Sequence, residues 1–190
     1  SYAIDTTGNL YGWGNNDYGQ LGIGNRKAQK SPRLIMKNVD EVWTNGTSTF
    51  IKKMDGKLYG CGQNDSGQLG IGNTTSTIIK PKLIGSYNTV ALGRTHSLLL
   101  DNDGNLYGCG NNKYQQLGLS EKVTYLRPIK IKDQVYQIAC GDYHSLYINA
   151  DNKLYGTGLN RNNQIGAPTK SKGWREIDMP NSLINQDALY

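Results

Sequence analysis

The only two histidines of the chain, His96 and His144, are the residues best suited to proton transfer or metal binding. An imidazole titrates near neutral pH, and a histidine close to a serine or cysteine is a common arrangement in nucleophilic catalysis. Each histidine here is followed by a serine, but the Gly-x-x-His-Ser motif occurs twice, at 93–97 and again at 141–145. A catalytic histidine occupies one unique place, whereas a residue repeated at a fixed interval belongs to a scaffold. We therefore expect both histidines to be buried and to join strands or repeats through hydrogen bonds to the backbone, without binding a metal.

The three cysteines, Cys61, Cys109 and Cys140, form no metal or disulfide pattern. A disulfide framework pairs cysteines in even numbers and a zinc site needs closely spaced ligands, whereas here the number is odd and the spacing is wide. Cys61 and Cys109 are separated by the same interval as the two histidines, at a position that Trp13 and Thr157 occupy in other copies. We interpret them as reduced thiols packed against the next repeat, which favours an intracellular compartment over a secreted one.

Two other patterns with chemical potential are better explained as turns. Residues 101–105 (Asp-Asn-Asp-Gly-Asn) resemble the start of a calcium-binding loop, but the later oxygen ligands and the closing glutamate are missing. The glycine clusters lack the helix that must follow a phosphate-binding loop. No Ser-His-Asp set, carboxylate pair or Cys-His pair stands out. The sequence therefore predicts no enzyme activity, no metal site and no cofactor.

The elements that position these residues recur at a fixed period of about 48 residues, a length typical of structural repeats. Each copy has a turn, the motif Leu-Tyr-Gly-x-Gly, and then Gln-Leu/Ile-Gly. The first motif begins at Leu10, Leu58, Leu106 and Leu154, and the second ends at Gly22, Gly70, Gly118 and Gly166. A proline follows in three copies, whereas the fourth has Gly-Trp-Arg-Glu-Ile at 173–177. We expect these four glycines to be structural. Four matches in one register predict four repeated structural units.

Each repeat is predicted to form about four short β-strands. Residues 96–100 and 106–109 flank an Asp-Gly turn, which predicts a hairpin with a type I′ turn. Small residues in segments 90–93 and 135–141 suit a crowded innermost strand. Residues 128–132 alternate apolar and basic side chains behind a proline, as an outer edge strand does. Four-stranded units repeated at this length predict the blades of an all-β propeller.

The combined motif resembles the regulator of chromosome condensation repeat family. The third copy carries Gly-x-x-His-Ser, the Asp-Gly turn and Leu-Tyr-Gly-x-Gly over residues 93–110. The first two copies carry Gly-Gln-Leu-Gly at 19–22 and 67–70. The paired glycines of kelch repeats and the Trp-Asp dipeptide of another propeller family are absent. The resemblance covers almost the whole chain, although the second copy has no histidine at 46–49 and the fourth departs from the pattern after Gly166.

We interpret the chain as a single propeller segment of about four blades. Seven blades, which the resemblance implies, would need about 340 residues. Both ends of the chain lie within a repeat at nearly the same phase, so we expect a segment of a longer propeller. A closed ring of four blades, completed by the last strand, is the alternative. The repeats span approximately 1–38, 39–86, 87–134 and 135–182, and residues 183–190, with Asn-Gln-Asp-Ala-Leu at 185–189, begin the next innermost strand.

Basic residues are concentrated on the predicted outer strands and the loops that lead into them. The formal net charge of +6 is compatible with an acidic partner, but it is too small to assert nucleic-acid binding. Two explanations stay open, because lysines on an edge strand also block edge-to-edge pairing. The residues, here called the basic rim, are Arg26, Lys27, Lys30, Arg33, Lys80, Lys82, Arg127, Lys130 and Lys132.

The function that we expect is a non-enzymatic protein–protein interaction scaffold within a larger protein or assembly, since loops on rigid scaffolds carry binding. The resemblance also implies a guanine nucleotide exchange factor for a small GTPase, although no long insertion supplies the wedge that exchange requires. A chromatin- or nucleic-acid-associated adaptor that uses the basic rim is a further alternative. No apolar run reaches the length of a membrane span, so we expect no membrane insertion.

Overall fold

The computed structural model describes residues 1–167 and 173–179, which form only strands, turns and irregular connections. No helix among them is long and apolar enough to cross a membrane. The first sheet contains β1 (Tyr2–Ile4), β2 (Leu10–Gly14) and β3 (Gln29–Met36). The second contains β4 (Val39–Thr44), β5 (Ser48–Lys53), β6 (Lys57–Gln63) and β7 (Thr77–Ser86). The third contains β8 (Thr89–Leu92), β9 (His96–Leu100), β10 (Leu106–Asn111) and β11 (Thr124–Lys132). The fourth contains β12 (Val135–Cys140), β13 (His144–Asn149), β14 (Leu154–Gly158) and β15 (Arg175–Glu176).

The four sheets are copies of one antiparallel meander. Neighbouring strands pair in chain order in every sheet, and the described part of the first sheet has no counterpart of β4, β8 and β12. Those three first strands lie side by side, and β1 lies against β4. The Leu-Tyr-Gly segments occupy the equivalent strands β2, β6, β10 and β14. This confirms the prediction of an all-β fold with about four sheets of up to four antiparallel strands. The predicted inner strand at 183–190 lies outside the described residues.

The alternation of side chains along each strand builds the core. The leucine of each Leu-Tyr-Gly motif is buried, whereas the tyrosine that follows it is half-buried, as a two-residue period requires. Buried residues form two clusters, one that spans the first three sheets and one that spans the third and fourth. The contact between two successive sheets is called a seam below. Each seam is crossed by one of the two clusters, so neighbouring sheets support one another.

The turns between the second and third strands differ from the predicted type I′ turn. In the third sheet, the Gly104 amide donates to the Asp101 carbonyl (3.3 Å), and the Asp101 amide donates to the Asn105 carbonyl (3.1 Å). Gly104 has a φ of +78°, but Asp103 is not among the residues with positive φ. The type I′ prediction is therefore wrong. The pattern is that of a type I turn followed by a left-handed glycine, which Asp-Gly suits equally well.

The Asp101 carboxylate is committed to this turn. It accepts hydrogen bonds from the backbone amides of Asp103 and Asn105, both at 2.9 Å. Partial burial would raise the pKa of Asp101, but the hydrogen bonds from Asn105 and Asp103 outweigh it and hold that pKa below its usual value. The segment that resembled a calcium loop is thus explained by the geometry of a hairpin.

Connections alternate between two opposite ends of the sheets. The end that carries the tight hairpins, such as 101–105, is called the hairpin face. The other end carries the longer connections at 15–28, 64–76 and 112–123, and it is called the long-loop face. The outer strands β3, β7 and β11 join the two faces along the perimeter.

Candidate functional site

His96 lies at the seam between the third and fourth sheets. Its side chain is fully buried, and its Nε2 is 2.7 Å from Oγ of Ser145 in the next repeat. Burial, and to a smaller extent the nearby His144, lowers the pKa of His96 to about 3, so the ring is neutral at physiological pH. We expected a bond to the backbone, but this partner is a hydroxyl group. A buried neutral ring with this partner holds two sheets together and is poorly placed to exchange protons with a substrate.

The glycine three residues before each histidine makes room for the ring. A Cβ atom at Gly93 would lie 2.1 Å from Cε1 of His96, and one at Gly141 would lie 2.0 Å from Cε1 of His144. Both distances are far shorter than any real carbon–carbon contact. His144 is half-buried, and burial lowers its pKa as well. The Gly-x-x-His motif is therefore a packing motif.

The second sheet has a different pair of residues at these positions, and one of them crosses the seam. Ser48 stands at the histidine position, and Asn45 stands at the glycine position three residues earlier. The Asn45 side chain donates to the Gly93 carbonyl of the third sheet (2.8 Å), and the Ser48 hydroxyl donates to the Gln63 carbonyl (2.8 Å). In this copy, a residue smaller than histidine at position 48 thus accompanies a residue larger than glycine at position 45. The departure of this copy from the repeat is a second solution to the same packing problem.

A buried asparagine fixes each connection on the long-loop face. In the second sheet, Asn64 Oδ1 accepts from the Leu69 amide (3.0 Å), and Asn64 Nδ2 donates to the Asn73 carbonyl (2.9 Å). The glutamine of the following motif adds a bond, since Gln68 Oε1 accepts from the Ser66 amide (2.9 Å). The equivalent bond from a leucine or isoleucine amide of the same loop is accepted by Asn16, Asn112 and Asn160. The long loops are therefore held in fixed positions.

The last glycine of each long-loop motif packs against the next sheet. Gly70 has a φ of +69°, and a Cβ atom there would lie 3.0 Å from both Cys109 Sγ and Pro128 Cδ. The equivalent set at the preceding seam is Gly22, Cys61 and Pro81. Pro81 and Pro128 are thus seam residues, in addition to being edge residues as the sequence predicted.

Trp174 takes the place of that proline in the fourth sheet. A Cβ atom at Gly118 would lie 2.0 Å from Trp174 Nε1, so the indole covers the glycine of the third sheet. This contact explains why the fourth copy has Gly-Trp where the others have proline. Gly166 has a similar φ of +68°, and the nearest atom of the described residues is Ile177 Cγ2 at 3.4 Å.

The cysteines contact the preceding sheet and not the next one, so that part of the sequence interpretation is wrong in direction. The buried Cys61 thiol donates to the Gln20 carbonyl (3.3 Å), and the buried Cys109 thiol donates to the Gln68 carbonyl (3.4 Å). Cys140 is half-buried. Burial raises the pKa of Cys61 to about 12 and also raises that of Cys109, so both remain protonated thiols.

The basic rim runs along the outer strands of the first three sheets. All nine of its residues are exposed. Arg26 and Lys27 precede β3, Lys30 and Arg33 lie in β3, Lys80 and Lys82 in β7, and Arg127, Lys130 and Lys132 in β11. The fold therefore brings these residues to equivalent outer edges of successive sheets.

Two rim residues also take part in seams. A Cβ atom at Gly24 would lie 3.1 Å from Lys80 Cε, and one at Gly72 would lie 2.6 Å from Arg127 Nη2. Each basic side chain therefore lies across a glycine of the preceding sheet. The backbone beside it is joined as well, because the Gly24 and Gly72 amides donate to the next outer strand at 2.8 Å each.

The remaining rim residues differ in their surroundings. Lys130 forms an ion pair with Asp133, and the Arg26 guanidinium donates to the Asp17 carbonyl. Over residues 1–167 and 173–179, no carboxylate lies within ion-pair distance of the others in β3, β7 and β11, namely Lys30, Arg33, Lys80, Lys82, Arg127 and Lys132. Their positive charge is therefore uncompensated at short range and faces solvent.

Lys52 is a seam residue that sequence reasoning missed. Its Nζ lies 3.0 Å from carboxylate oxygens of both Asp40 and Glu41, and it donates to the Asn88 carbonyl of the third sheet (3.1 Å). Burial would lower the pKa of Lys52, but these two carboxylates outweigh that effect and raise it. The signal in the sequence was a charged residue at a position where the other copies have Ile4, Leu100 and Ile148.

The described residues offer no obvious metal centre. Across 1–167 and 173–179, no group of three or more His, Cys, Asp or Glu side chains could hold an ion. The residues with catalytic potential are instead used in seams and turns. What the geometry presents to a partner is a rigid perimeter, a face of short hairpins and a face of longer loops held by buried asparagines.

Successive four-stranded antiparallel sheets that meet through their first strands define the β-propeller class. Models of the regulator of chromosome condensation (RCC1) repeat match residues 7–44, 55–100 and 103–148, and a second model of the same repeat matches 87–116 and 135–164. These matches cover more than half of the chain, which therefore belongs to the RCC1 repeat family. No curated protein sequence matches the chain.

Solved structures of the same fold span about twice the length of this chain. Prp20p from Saccharomyces cerevisiae is 23% identical with a TM-score of 0.82, over 94% of this chain and 48% of that one. Yeast RCC1 (Prp20) bound to Kap60 is 23% identical with a TM-score of 0.80, over 90% and 44%. Human WBSCR16 is 22% identical with a TM-score of 0.81, over 94% and 50%. The Prp20p structure is described together with the binding of that protein to Gsp1p and histones.

Proposed function

We propose that this chain is a non-enzymatic protein–protein interaction module and that its basic rim binds an acidic partner protein. The observation that carries the proposal is the alignment of nine exposed basic residues along the outer strands of three successive sheets. Uncompensated positive charge on a rigid surface steers an acidic partner and fixes its orientation. The side chains best suited to catalysis, His96 above all, are engaged in seams, which supports a binding role.

Protection of the sheet edges is the competing explanation for the rim, and the structure offers other devices for that purpose. Pro32, Pro81 and Pro128 interrupt the outer strands, and proline limits edge pairing. Loop amides of the preceding sheet already occupy the Ile79 and Leu126 carbonyls. Edge protection therefore does not require nine basic side chains.

The rim also exposes aliphatic side chains beside its charges. Leu34 is 47% exposed in β3, Leu83 is 57% exposed in β7, and Ile129 is 38% exposed in β11. Alternating basic and aliphatic side chains suit a partner surface that carries both carboxylates and apolar groups. These leucines and isoleucine extend the proposed contact beyond charge alone.

Charge reversal tests the proposal directly. The variant with Arg26, Lys27, Lys30 and Arg33 replaced by Glu is compared with the wild type in capturing partners from the native source, followed by binding measurements with the purified partner. We expect loss of binding with an unchanged melting temperature, and weaker wild-type binding as salt rises, because exposed charges are screened. The matched control reverses Lys37, Lys53, Lys57 and Lys153 on the hairpin face. Binding that survives both rim reversal and high salt would place the site on the faces instead.

Guanine nucleotide exchange on a small GTPase is the second candidate, and membership of the RCC1 repeat family is what favours it. The described long-loop connections are tied down by buried asparagines, and none of them forms a free wedge. Acceleration of nucleotide release from a purified GTPase would establish exchange.

Binding to DNA that falls steeply with salt would instead support the chromatin-associated adaptor.

A further inference from the structure

Ser31 is an exposed serine within the basic rim. It lies in β3 between Lys30 and Pro32, and Arg33 follows. Over residues 1–167 and 173–179, no hydrogen bond involves its hydroxyl group. The hydroxyl is therefore not committed to the scaffold and is open to a modifying enzyme.

A bulge in the outer strand sets Ser31 apart from the hydrogen-bonded ladder. The register with β2 places three residues of β3, 30–32, opposite the single residue between Gly12 and Gly14. A bulge leaves its extra residues outside the ladder and redirects their side chains. Proline confines the residue before it to an extended backbone, which is the conformation in which protein kinases bind the segment around an acceptor serine. Ser31 is thus presented in an extended conformation at the perimeter.

The serine departs from the repeat at this position. The residue before the outer-strand proline is Lys80 in the second sheet and Arg127 in the third, and each lies across a glycine of the preceding sheet. Both are exposed although a sheet precedes them, so a preceding sheet does not bury this position. A serine has neither the length nor the charge for that contact. Such deviations are where a repeat protein can carry its particular function.

The segment around Ser31 is positively charged and contains no acidic residue. In the part of the chain that the structure describes, neither Lys30 nor Arg33 has a carboxylate at ion-pair distance. A serine phosphate carries about two negative charges at neutral pH and accepts charge-assisted hydrogen bonds from such cations. Residues 18–39 include no Asp or Glu, and their basic residues are Arg26, Lys27, Lys30, Arg33 and Lys37.

Ser31 and Pro32 form the single Ser-Pro or Thr-Pro pair of the chain. Proline-directed protein kinases require a proline directly after the acceptor residue, and most other protein kinases reject it. The sequence therefore offers a kinase of this class one site, and the fold places that site on an exposed bulge among basic residues.

We propose that Ser31 is a phosphorylation site for a proline-directed protein kinase and that its phosphate weakens the binding of an acidic partner to the basic rim. The Ser31 Oγ attacks the γ-phosphorus of ATP, ADP leaves with the bridging oxygen, and the hydroxyl proton passes to the catalytic aspartate of the kinase. The phosphate pairs with Lys30 and Arg33 and lowers the positive charge that the partner meets. The effect on binding rests on the proposed function of the rim, whereas the modification itself does not.

Phosphorylation of the full chain by a purified proline-directed kinase and ATP tests the site. Mass spectrometry should find one phosphoryl group per chain, at Ser31, and none in Ser31→Ala. Pro32→Ala keeps the hydroxyl but removes the recognition feature, so its modification should be lost as well. A synthetic peptide of residues 25–36 confirms that the kinase is active on this sequence. A folded chain that stays unmodified while the peptide is phosphorylated, or a phosphoryl group at another residue instead, overturns the assignment.

Pairing of the phosphate with the rim is measured without any partner. In a phosphorus magnetic resonance titration at low salt, the second pKa of the Ser31 phosphate should lie about half a unit or more below its usual value of about 6, because nearby cations favour the dianion. The phosphorylated Lys30→Gln/Arg33→Gln variant should titrate close to the usual value. Lys130→Gln/Lys132→Gln on the third sheet removes the same charge and should keep the lowered pKa. An ordinary pKa in the wild type overturns the pairing.

The effect on binding is measured with a fluorescent oligoglutamate peptide as the acidic probe. We expect the phosphorylated chain to bind it about tenfold or more weakly than the unmodified chain, since rim charges attract an acidic partner. Equal binding with and without the phosphate overturns the effect on the rim. Oligoglutamate that fails to bind even the unmodified chain contradicts the rim as a binding site, whereas the mass measurement decides the phosphorylation site independently. If thermal melts show that Lys30→Gln/Arg33→Gln is unfolded, loss of the pKa shift of the wild type at high salt replaces it.

Discussion

Gly93, His96 and Ser145 act as one unit, because none of the three can change without disturbing the others. The glycine leaves space for the imidazole, and the imidazole reaches the hydroxyl of the next sheet. Asn45 and Ser48 occupy the corresponding positions of the second sheet, where Asn45 reaches across the seam to Gly93 and Ser48 bonds within its own sheet. The residues at the glycine and histidine positions therefore differ together from one copy to another, and the histidine does not vary alone.

The burial of His96 predicts a specific loss of stability in acid. Its pKa is about 3 in the folded chain and 6.5 in its usual state, so below pH 6.5 the unfolded chain binds a proton that the folded chain does not. His96 therefore does not reduce the free energy of unfolding above pH 6.5, and it reduces it progressively as pH decreases from 6.5 towards 3. The slope contributed by one histidine is about 1.4 kcal/mol per pH unit at most. Urea unfolding at pH 7, 6 and 5 measures it.

The control for this prediction exchanges the residue pair for that of the second sheet. Gly93→Asn/His96→Ser removes the titrating ring and introduces the combination found at Asn45 and Ser48. Its stability should fall less steeply between pH 6 and 5 than that of the wild type. Equal slopes would mean that His96 is not the group that takes up the proton. The aspartates with lowered pKa, such as Asp101, contribute only at lower pH.

The long-loop motif is the element that joins each sheet to the next. Its last glycine has a left-handed backbone and lies against the third strand and the outer strand of the following sheet. The asparagine and glutamine of the loop hold that glycine in place from within their own sheet. The motif thus combines a rigid loop with a flat contact surface, and both properties exclude a side chain at the glycine.

Replacing Gly70 by Val should destabilise the chain through backbone strain and through a clash at the seam. Strain at a positive φ costs about 1–3 kcal/mol, and Cys109 and Pro128 would have to move as well. Gly56→Val is the matched control, because Gly56 has a φ of +79° but no described atom within 4 Å of the place that a Cβ atom would occupy. We expect a larger drop in melting temperature for Gly70→Val. The same result is expected for Gly22→Val and Gly118→Val, and equal drops would show that the seam contributes nothing.

The repeat alone was enough to predict the strands, their order and the equivalence of the Leu-Tyr-Gly segments, because a fixed period constrains every copy at once. The turn type could not be predicted, since Asp-Gly occurs in type I′ turns and also where a type I turn precedes a left-handed glycine. Seam partners such as Gly118 and Trp174 belong to different repeats and are distant in the sequence, so no local pattern links them.

Two clusters of buried residues, both of which include residues of the third sheet, cross the three seams, so each sheet is supported by its neighbours. Within residues 1–167 and 173–179, β1 pairs with β2 alone, whereas its equivalents β5, β9 and β13 are each paired on both sides. Ser1 and Trp13 form a hydrogen-bonded pair, in which each backbone amide donates to the carbonyl of the other residue. Hydrogen-bonded and non-hydrogen-bonded pairs alternate along two antiparallel strands, so the Tyr2 and Ile4 amides point away from β2.

The seams also impose an order in time during synthesis of the chain. These long-loop glycines pack against residues that are synthesised later. Gly22 lies against Cys61 and Pro81, and Gly70 lies against Cys109 and Pro128. A ribosome therefore releases each loop well before the residues that will cover it. Each repeat that emerges completes the one made before it, and a nascent chain consolidates from its first repeat onwards. The most recently made loop is always the one that still lacks the residues against which it packs.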